Sequence, residues 1–505
     1  LRGPNALLFG RGGTGGVINR VSKKGLIGET FTGYHLNVDT FGAYTAQLDG
    51  NVSLNEHAAV RVNAFYDYLE NHRDFYDGER FGINPTLRYV FNERTDLNLS
   101  YEFNDHERFI DRGVPTGADG RPVERFEDTF FGDPEVADTA FEAHVLRGAL
   151  QHRFNEDLKG RFDFSYGDYD KAYQNFYATA YDPIAEEVTL SGYEDSTQRE
   201  SLILTGNLIG QFSTGDVEHT LIFGVEFLDS DNDNDRLRFD ADPPTPGTQG
   251  ETRAVSDLDT FRNRTFNQFG DDTAADLTVL SIYIQDEIAL LEQLDLILGA
   301  RYDRFDFEFD SFAADGSLAA SRGQVDEELT PRLGLVYKPE EAISIYASYS
   351  QTFLPKSGEQ FASISAGNLG LDPDEFVNLE AGVKWNLNER LSLTTAIFEL
   401  EKDGSEGDGF GNYESVAIEV EGFEAQLLGR LTKAWLVTAG YSFLDGEVTG
   451  DTDTGNRPRE LPEHSFSVWN RYQLTKDFGL GLGVIYQDET FIDESNDEVL
   501  PSFVR

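Results

Sequence analysis

The stretch Thr278–Ile288, TVLSIYIQDEI, decides the fold. Leu280, Ile282, Ile284 and Ile288 share one parity, and Ser281, Gln285 and Glu287 share the other. Side chains alternate sides along a strand, so this is a strand with one apolar and one polar face. AISIYASYSQTF (342–353) repeats the pattern, with Ile343, Ile345, Ala347 and Tyr349 opposite Ser344, Ser348 and Ser350. RLSLTTAIFEL (390–400) and HSFSVWNRYQL (464–474) read similarly, whereas helical periodicity is hard to find anywhere.

Working outward from these segments, about nineteen such strands follow residue 30, with the start of another at 499. Their connections alternate between tight and long. NERT, NED, STGD, PEE, NLNE and TKD are tight; 109–140, 171–198, 231–274, 310–327 and 353–374 are long, and each long one follows an odd-numbered strand. Short turns at one end and long loops at the other are the pattern of an outer-membrane barrel, whose strands need only about 9–11 residues to span. Tyr and Phe gather near strand ends, as in FYDYLENHRDFY and RYDRFDFEF, as an interfacial girdle requires. A soluble propeller or solenoid would show a repeat of about 40–50 residues, and none is found. The expected fold is therefore all-β: a transmembrane antiparallel barrel of the 22-stranded plugged type, with about 19–20 strands present.

Composition narrows the function. The 505 residues carry 41 Lys+Arg against 91 Asp+Glu, a formal charge of −50. So acidic a chain repels nucleic acid. Cysteine is absent, which removes disulfides, thiolate metal sites and a Cys nucleophile. No apolar run long enough for a membrane helix occurs. Methionine is absent too, even at position 1, so the sequence reads as an internal piece of a longer one. Its last residues, LPSFVR, read as the first half of a twentieth strand, with further C-terminal strands expected beyond.

The opening LRGPNALLFGRGGTGGVINRVSKK (1–24) is glycine-rich and basic. A phosphate-cradling loop is excluded, because Gly-Lys-Ser/Thr leading into a helix is missing and VINRVSKK reads as a strand. This segment resembles the end of the plug domain in TonB-dependent siderophore receptors. Arg2, Gly3, Pro4, Phe9, Gly10, Arg11, Thr14, Gly15, Gly16, Val17, Ile18, Asn19, Ser22 and Lys23 fill the places of that family's pattern. The resemblance continues through DRGVPTGADGRPV (111–123), SIYIQDEIALLEQLDLILGARYDRF (281–305), and LTPRLGLVYKPEEAISIYASYSQTFLPKSGEQF (329–361). It extends through LDPDEFVNLEAGVKWNLNERLSLTTAIFELEK (371–402) to VEGFEAQLLGRLTKAWLVTAGYSFLDGEV (420–448) and RELPEHSFSVWNRYQL (459–474). LLFGRGGTGG and FLPKSGEQF look most like the receptors for ferric catecholate siderophores.

The resemblance implies two domains, the C-terminal end of a plug over 1–28 and the barrel over 29–505. It implies an outer-membrane importer of a Gram-negative bacterium, not an enzyme. Its partners would be a ferric siderophore, TonB with its inner-membrane complex, and outer-membrane lipid, with no nucleic acid and as a monomer. No intrinsic cofactor is expected, the ferric iron being cargo. The signal peptide, TonB box and most of the plug do not appear in the sequence. Phe9 stands where some relatives place a Tyr that touches the siderophore, and lacks its hydroxyl.

Ligand contacts are expected from Phe9 and Arg11 at the plug apex, and from Arg108, Phe109 and Arg112 in the loop 104–126. Aromatic faces and guanidinium groups suit a ferric tris-catecholate, a bulky aromatic anion. Asp105, Glu107, Asp111 and Glu124 stand close enough in sequence to absorb those arginines. DSDNDND (229–235) lacks the Gly and Glu of a calcium loop and reads as a solvated acidic loop. The eight His show no metal-ligand spacing, and no metal site is expected. Haem, cobalamin, glycan or hydroxamate importers share the fold; haem receptors rely on loop His, for which His72 and His106 are the candidates. A passive porin is opposed by the strand count and the plug remnant.

Overall fold

The computed structural model describes residues 19–241, 250–358, 360–407 and 412–505. Twenty strands follow one another as an antiparallel meander, each paired with its sequence neighbour. The first five are β1 (Phe31–Val38), β2 (Tyr44–Ser53), β3 (Ala58–Glu70), β4 (Asp77–Asn92) and β5 (Thr95–Phe109). Then come β6 (Asp138–Arg153), β7 (Leu158–Asp182), β8 (Glu187–Thr214), β9 (Val217–Phe239) and β10 (Phe266–Leu291). Next are β11 (Leu294–Phe312), β12 (Leu318–Glu340), β13 (Ile343–Leu354), β14 (Asp374–Asn388) and β15 (Leu391–Asp403). The last are β16 (Ile418–Arg430), β17 (Trp435–Val448), β18 (His464–Gln473), β19 (Gly479–Gln487) and β20 (Phe503–Val504). Short pairs lie outside this series: Glu251–Ala254 on the tip of β8, Ser405–Gly407 with Tyr413–Ser415, and Thr490–Phe491 with Val499–Leu500.

The alternation read from the sequence is the alternation of burial. On β10, Leu280, Ile282 and Ile284 are 46–50% exposed, whereas Val279, Ser281 and Tyr283 are at most 3% exposed. An apolar stripe left outward while polar groups turn inward is the inverse of a soluble protein and suits a hydrocarbon surround. Inside, Arg301 is fully buried and donates to Asp303, to Glu226 at 3.0 Å and to Ser281 at 2.7 Å. One cation on β11 thus serves two carboxylates, Asp303 of β11 and Glu226 of β9, on the lumen wall. Tyr283 shares that face by alternation, and Gly224 opposite leaves room for its ring, since a Cβ there would stand 2.1 Å from it.

The tight turns follow from their residue types. Asn92 accepts from the amide of Arg94, Asn155 from Asp157 and Leu158, and Asn388 from Arg390. At this end Tyr89, Phe91, Phe154, Tyr337, Trp385, Trp435, Tyr472 and Phe478 stand exposed, the expected girdle.

At the other end the connections differ from expectation. Most of 171–198 is not loop but strand, since β7 and β8 run 25 and 28 residues and turn only over 183–186. At ~3.3 Å per residue β7 is about 80 Å long, far more than a membrane crossing needs. β9, β10, β11 and β12 likewise extend into the expected loops, and DSDNDND (229–235) lies within β9. Period-two alternation persists there with Asp in place of the outward apolar residue, which makes strand look like loop by composition. Between Asn19 and Lys24 there is no strand either. That segment lies on the lumen wall instead: Arg20 donates to Glu102, and Lys23 and Arg61 share Asp49.

Candidate functional site

The long connection 110–137 is built around one cation. Arg73 makes a bidentate pair with Asp111 at 2.6 and 2.8 Å and donates to the carbonyls of Phe126, Glu127 and Thr129. Its aromatic residues complete two small cores. Phe126 and Phe131 pack with Phe176, Val188, Leu190, Phe239 and Phe261, and Phe130 packs with Phe109 and Ala137. Arg121 pairs with Glu489 at 3.1 Å and Arg125 with Glu186 at 2.6 Å, so carboxylates distant in sequence take two of its arginines.

Arg112 is the exception. It follows Asp111, but Arg73 holds that carboxylate, and among the described residues the exposed Arg112 guanidinium reaches only neutral partners. It donates to Asn175 Oδ1 at 3.1 Å and Tyr193 Oη at 3.2 Å, and stands 5.5 Å from the Tyr177 ring. Tyr173 meets Tyr193 edge-on, and Arg236, itself paired with Asp195, lies 4.6 Å from the Tyr193 ring. Tyr173, Asn175 and Tyr177 share the parity of Asp163 and Ser165, opposite the exposed Phe162 and Tyr166, so by alternation they continue the lumen face. Burial pushes the Tyr173 phenol well up. Burial acts the same way on Tyr193, but hydrogen bonds from Tyr173 and Arg112 outweigh it and hold that phenol below its usual value.

Two more lumen-facing cations lie beneath a second connection, 355–373. Arg199 donates to Asn232 at 2.9 Å and to the carbonyl of Gln360 at 2.7 Å. Arg322 donates to the carbonyl of Ile364 at 3.3 Å and stands 5.6 Å from the Phe309 ring. Phe361 packs its ring 5.3 Å from Phe305, Ile364 is buried among Phe305, Phe307 and Phe309, and Gln324 bonds both Gly370 and Leu371. Among the described residues, Arg112, Arg199 and Arg322 have no carboxylate partner. In a chain of charge −50 that is a local supply of positive potential for an anion.

The residues expected at a site separate. Phe9 and Arg11 lie outside the described residues. Phe109 is 5% exposed in an aromatic core, which gives it a packing role there. Arg108 lies on the lumen-facing parity of β5, its Nε buried without a partner. Arg112 faces the tyrosine cluster. Sequence reasoning passed over Tyr173, Tyr177, Tyr193, Arg199, Arg236 and Arg322, whose common signal is lumen parity on strands beyond the apolar belt. His72 and His106 do not gather with other ligands; among the described residues no three His, Cys, Asp or Glu side chains are grouped to hold a metal.

The sequence profile of the TonB dependent receptor-like β-barrel family matches residues 82–505. The chain is similar to the siderophore receptor PiuA of Acinetobacter baumannii, 27% identical over 555 residues covering 100% of this chain and 73% of PiuA. The PiuA crystal structure superposes with a TM-score of 0.86 at 25% identity, over 100% of this chain and 78% of that one. The metal-pseudopaline receptor CntO of Pseudomonas aeruginosa is 28% identical, over 98% of this chain and 70% of CntO. The catecholate siderophore receptor Fiu of Escherichia coli is 24% identical, over 96% of this chain and 70% of Fiu.

Proposed function

We propose a function for this chain from the premise that it belongs to the TonB dependent receptor-like β-barrel family, whose members are outer-membrane transport receptors and not enzymes. In this reading it binds a ferric siderophore of the catecholate type at its long-hairpin end, which faces outward from the cell, and delivers it to the periplasm with energy transduced by TonB. Residues 1–28 act as the end of a plug and 29–505 as the barrel, the protein works as a monomer, and iron enters only as cargo. The similarity to PiuA, CntO and Fiu supports a metallophore, and Fiu supports the catecholate.

The observation that carries the reading is Arg112, a guanidinium committed to tyrosines and an amide rather than to a carboxylate. A ferric tris-catecholate offers both negative charge and aromatic faces, and the Arg112–Tyr177–Tyr193 cluster answers both. Phe9 and Arg11 would meet the same ligand from the plug side, as the family resemblance implies, and Arg108 would add charge from the wall.

The test is iron-55 binding by the protein in detergent, with ferric catecholate and ferric trihydroxamate side by side. Saturable binding of the catecholate, weakened by Arg112→Ala, is expected. Binding of the trihydroxamate alone would keep the receptor and overturn the catecholate. Binding of neither would move the assignment to another metallophore, of the kind CntO is named for.

A further inference from the structure

Strand register puts the two arginines beneath the second connection at the ends of one row. Arg199, Asn232, Ala275, Phe309 and Arg322 are paired in turn across β8–β12, and residues so paired share the lumen face. Four strand spacings make the row about 19 Å long. The chain crosses it between Gln360, whose carbonyl takes Arg199, and Ile364, whose carbonyl takes Arg322. Four residues reach at most about 14 Å, and the two arginine side chains close the remainder. Between those pins, Phe361 and Ile364 pack over Phe305, Phe307 and Phe309, which are at most 5% exposed.

Two features are left unanswered inside this arrangement. Each guanidinium carries a charge but, among the described residues, meets only neutral oxygens. The Asn232 side chain, 4% exposed, commits its Oδ1 to Arg199 at 2.9 Å, and its buried Nδ2 has no partner among the described residues. Turning that amide over would set its NH2 against the Arg199 donor, so the orphan donor stays. A buried donor without an acceptor, next to an uncompensated guanidinium, marks a place for the oxygens of an anion.

We propose that Arg199, Asn232 and Arg322, with the phenylalanine floor between them, form a second site for an aromatic anion, and that residues 360–364 stand in the ligand's place until it displaces them. The two carbonyl oxygens lie where the anion's oxygens would, and the Phe361 ring lies where its ring would. Along β8 the site is six residues, about 20 Å, from Tyr193 towards the tight-turn end. It is therefore deeper in the lumen than the Arg112 cluster, and far enough from it for both to be filled. The bonds from Gln324 to Gly370 and Leu371 keep the far end of the segment tethered when 360–364 lift.

The ligand class rests on the catecholate reading at Arg112, and the experiment separates the two. Ferric tris-catecholate labelled with iron-55 is titrated into the full chain in detergent, and hydrogen exchange is followed at the Phe361 amide, which donates to Gly358. Binding should speed that exchange about tenfold, as the segment leaves the wall. Phe361→Ala loosens the segment without touching the cations and should tighten the deeper site about tenfold, because more of the chain has it open. Arg199→Gln with Arg322→Gln should remove one of two bound irons per chain, and Arg112→Ala should weaken the other. Iron bound with Phe361 exchange unchanged or slowed overturns the proposal and keeps the Arg112 reading. So does a stoichiometry that the paired variant leaves unchanged, or a Phe361→Ala chain that binds no tighter. Binding of tris-catecholate by none of these chains overturns both.

Discussion

Arg73→Met should unfasten the connection that carries Arg112. The Arg73 and Asp111 side chains are only 12% and 7% exposed, and Arg73 makes five hydrogen bonds, two to Asp111 and three to backbone carbonyls of 126–129. Methionine keeps most of the stem but leaves the Asp111 carboxylate buried with, among the described residues, only the Gly113 amide to bond it. Breaking a buried pair from one side costs about 3–5 kcal/mol. Charged to local opening, that raises the open population by roughly two to three and a half decades. Hydrogen exchange at the amides of Ile110, Gly113 and Val123, which bond within this connection, reads the opening directly. The double variant Arg73→Met with Asp111→Leu removes the stranded charge and should recover most of the protection. Siderophore affinity should fall in the single variant and return partly in the double. Exchange within about threefold of the unmodified chain in the single variant would refute the claim that this pair holds the loop.

Other outcomes follow from the same geometry. Ile282→Lys places a charge on the lipid face and should cost about 2–4 kcal/mol of stability in urea titrations of vesicle-inserted protein; an unchanged midpoint would count against the assigned facing. Gly120 has φ +71°, and a Cβ there would lie 2.3 Å from the Asp497 carbonyl oxygen. Gly120→Ala should therefore cost about 1–2 kcal/mol from backbone conformation alone and speed exchange at Val499, whose amide donates to Gly120. Burial, then Asp272, Asp233 and Asp271, raise the Asp235 carboxyl, and Asp276 raises Asp231. Their folded pKa values exceed the unfolded ones, so the folded hairpin binds the extra proton and gains stability as pH falls through the window just above the ordinary carboxylate range. Once the intrinsic pH dependence of amide exchange is divided out, protection over 229–239 should rise between pH 7 and about 4, less so in Asp235→Asn, and pH-independent protection would refute the assignment.

Much of the architecture was readable because it is local. Leu280, Ile282 and Ile284 announce a lipid face by spacing alone, Asn92, Asn155 and Asn388 announce tight turns by their side-chain chemistry, and the parity of long connections survives in the observed strand order. The long connections were misread where polarity replaced alternation as the guide. Asp229, Asp231, Asp233 and Asp235 obey period two on a strand that has left the bilayer, and there water, not hydrocarbon, meets the outward face.

The sequence by itself determined the strand order, the facing of side chains along the apolar belt and the sign of the overall charge, since all three follow from neighbours along the chain. The partners of the cations were decided only in the folded wall. Asp111 adjoins Arg112 but serves Arg73, 38 residues earlier; Arg121 finds Glu489, 368 residues away; Arg199 and Arg322 end on the carbonyls of 355–373. Carboxylates outnumber cations by 91 to 41, so any arginine has many possible partners within the chain. Which one it takes depends on distances across strands that the sequence does not encode locally, and the guanidinium groups left over define the candidate site.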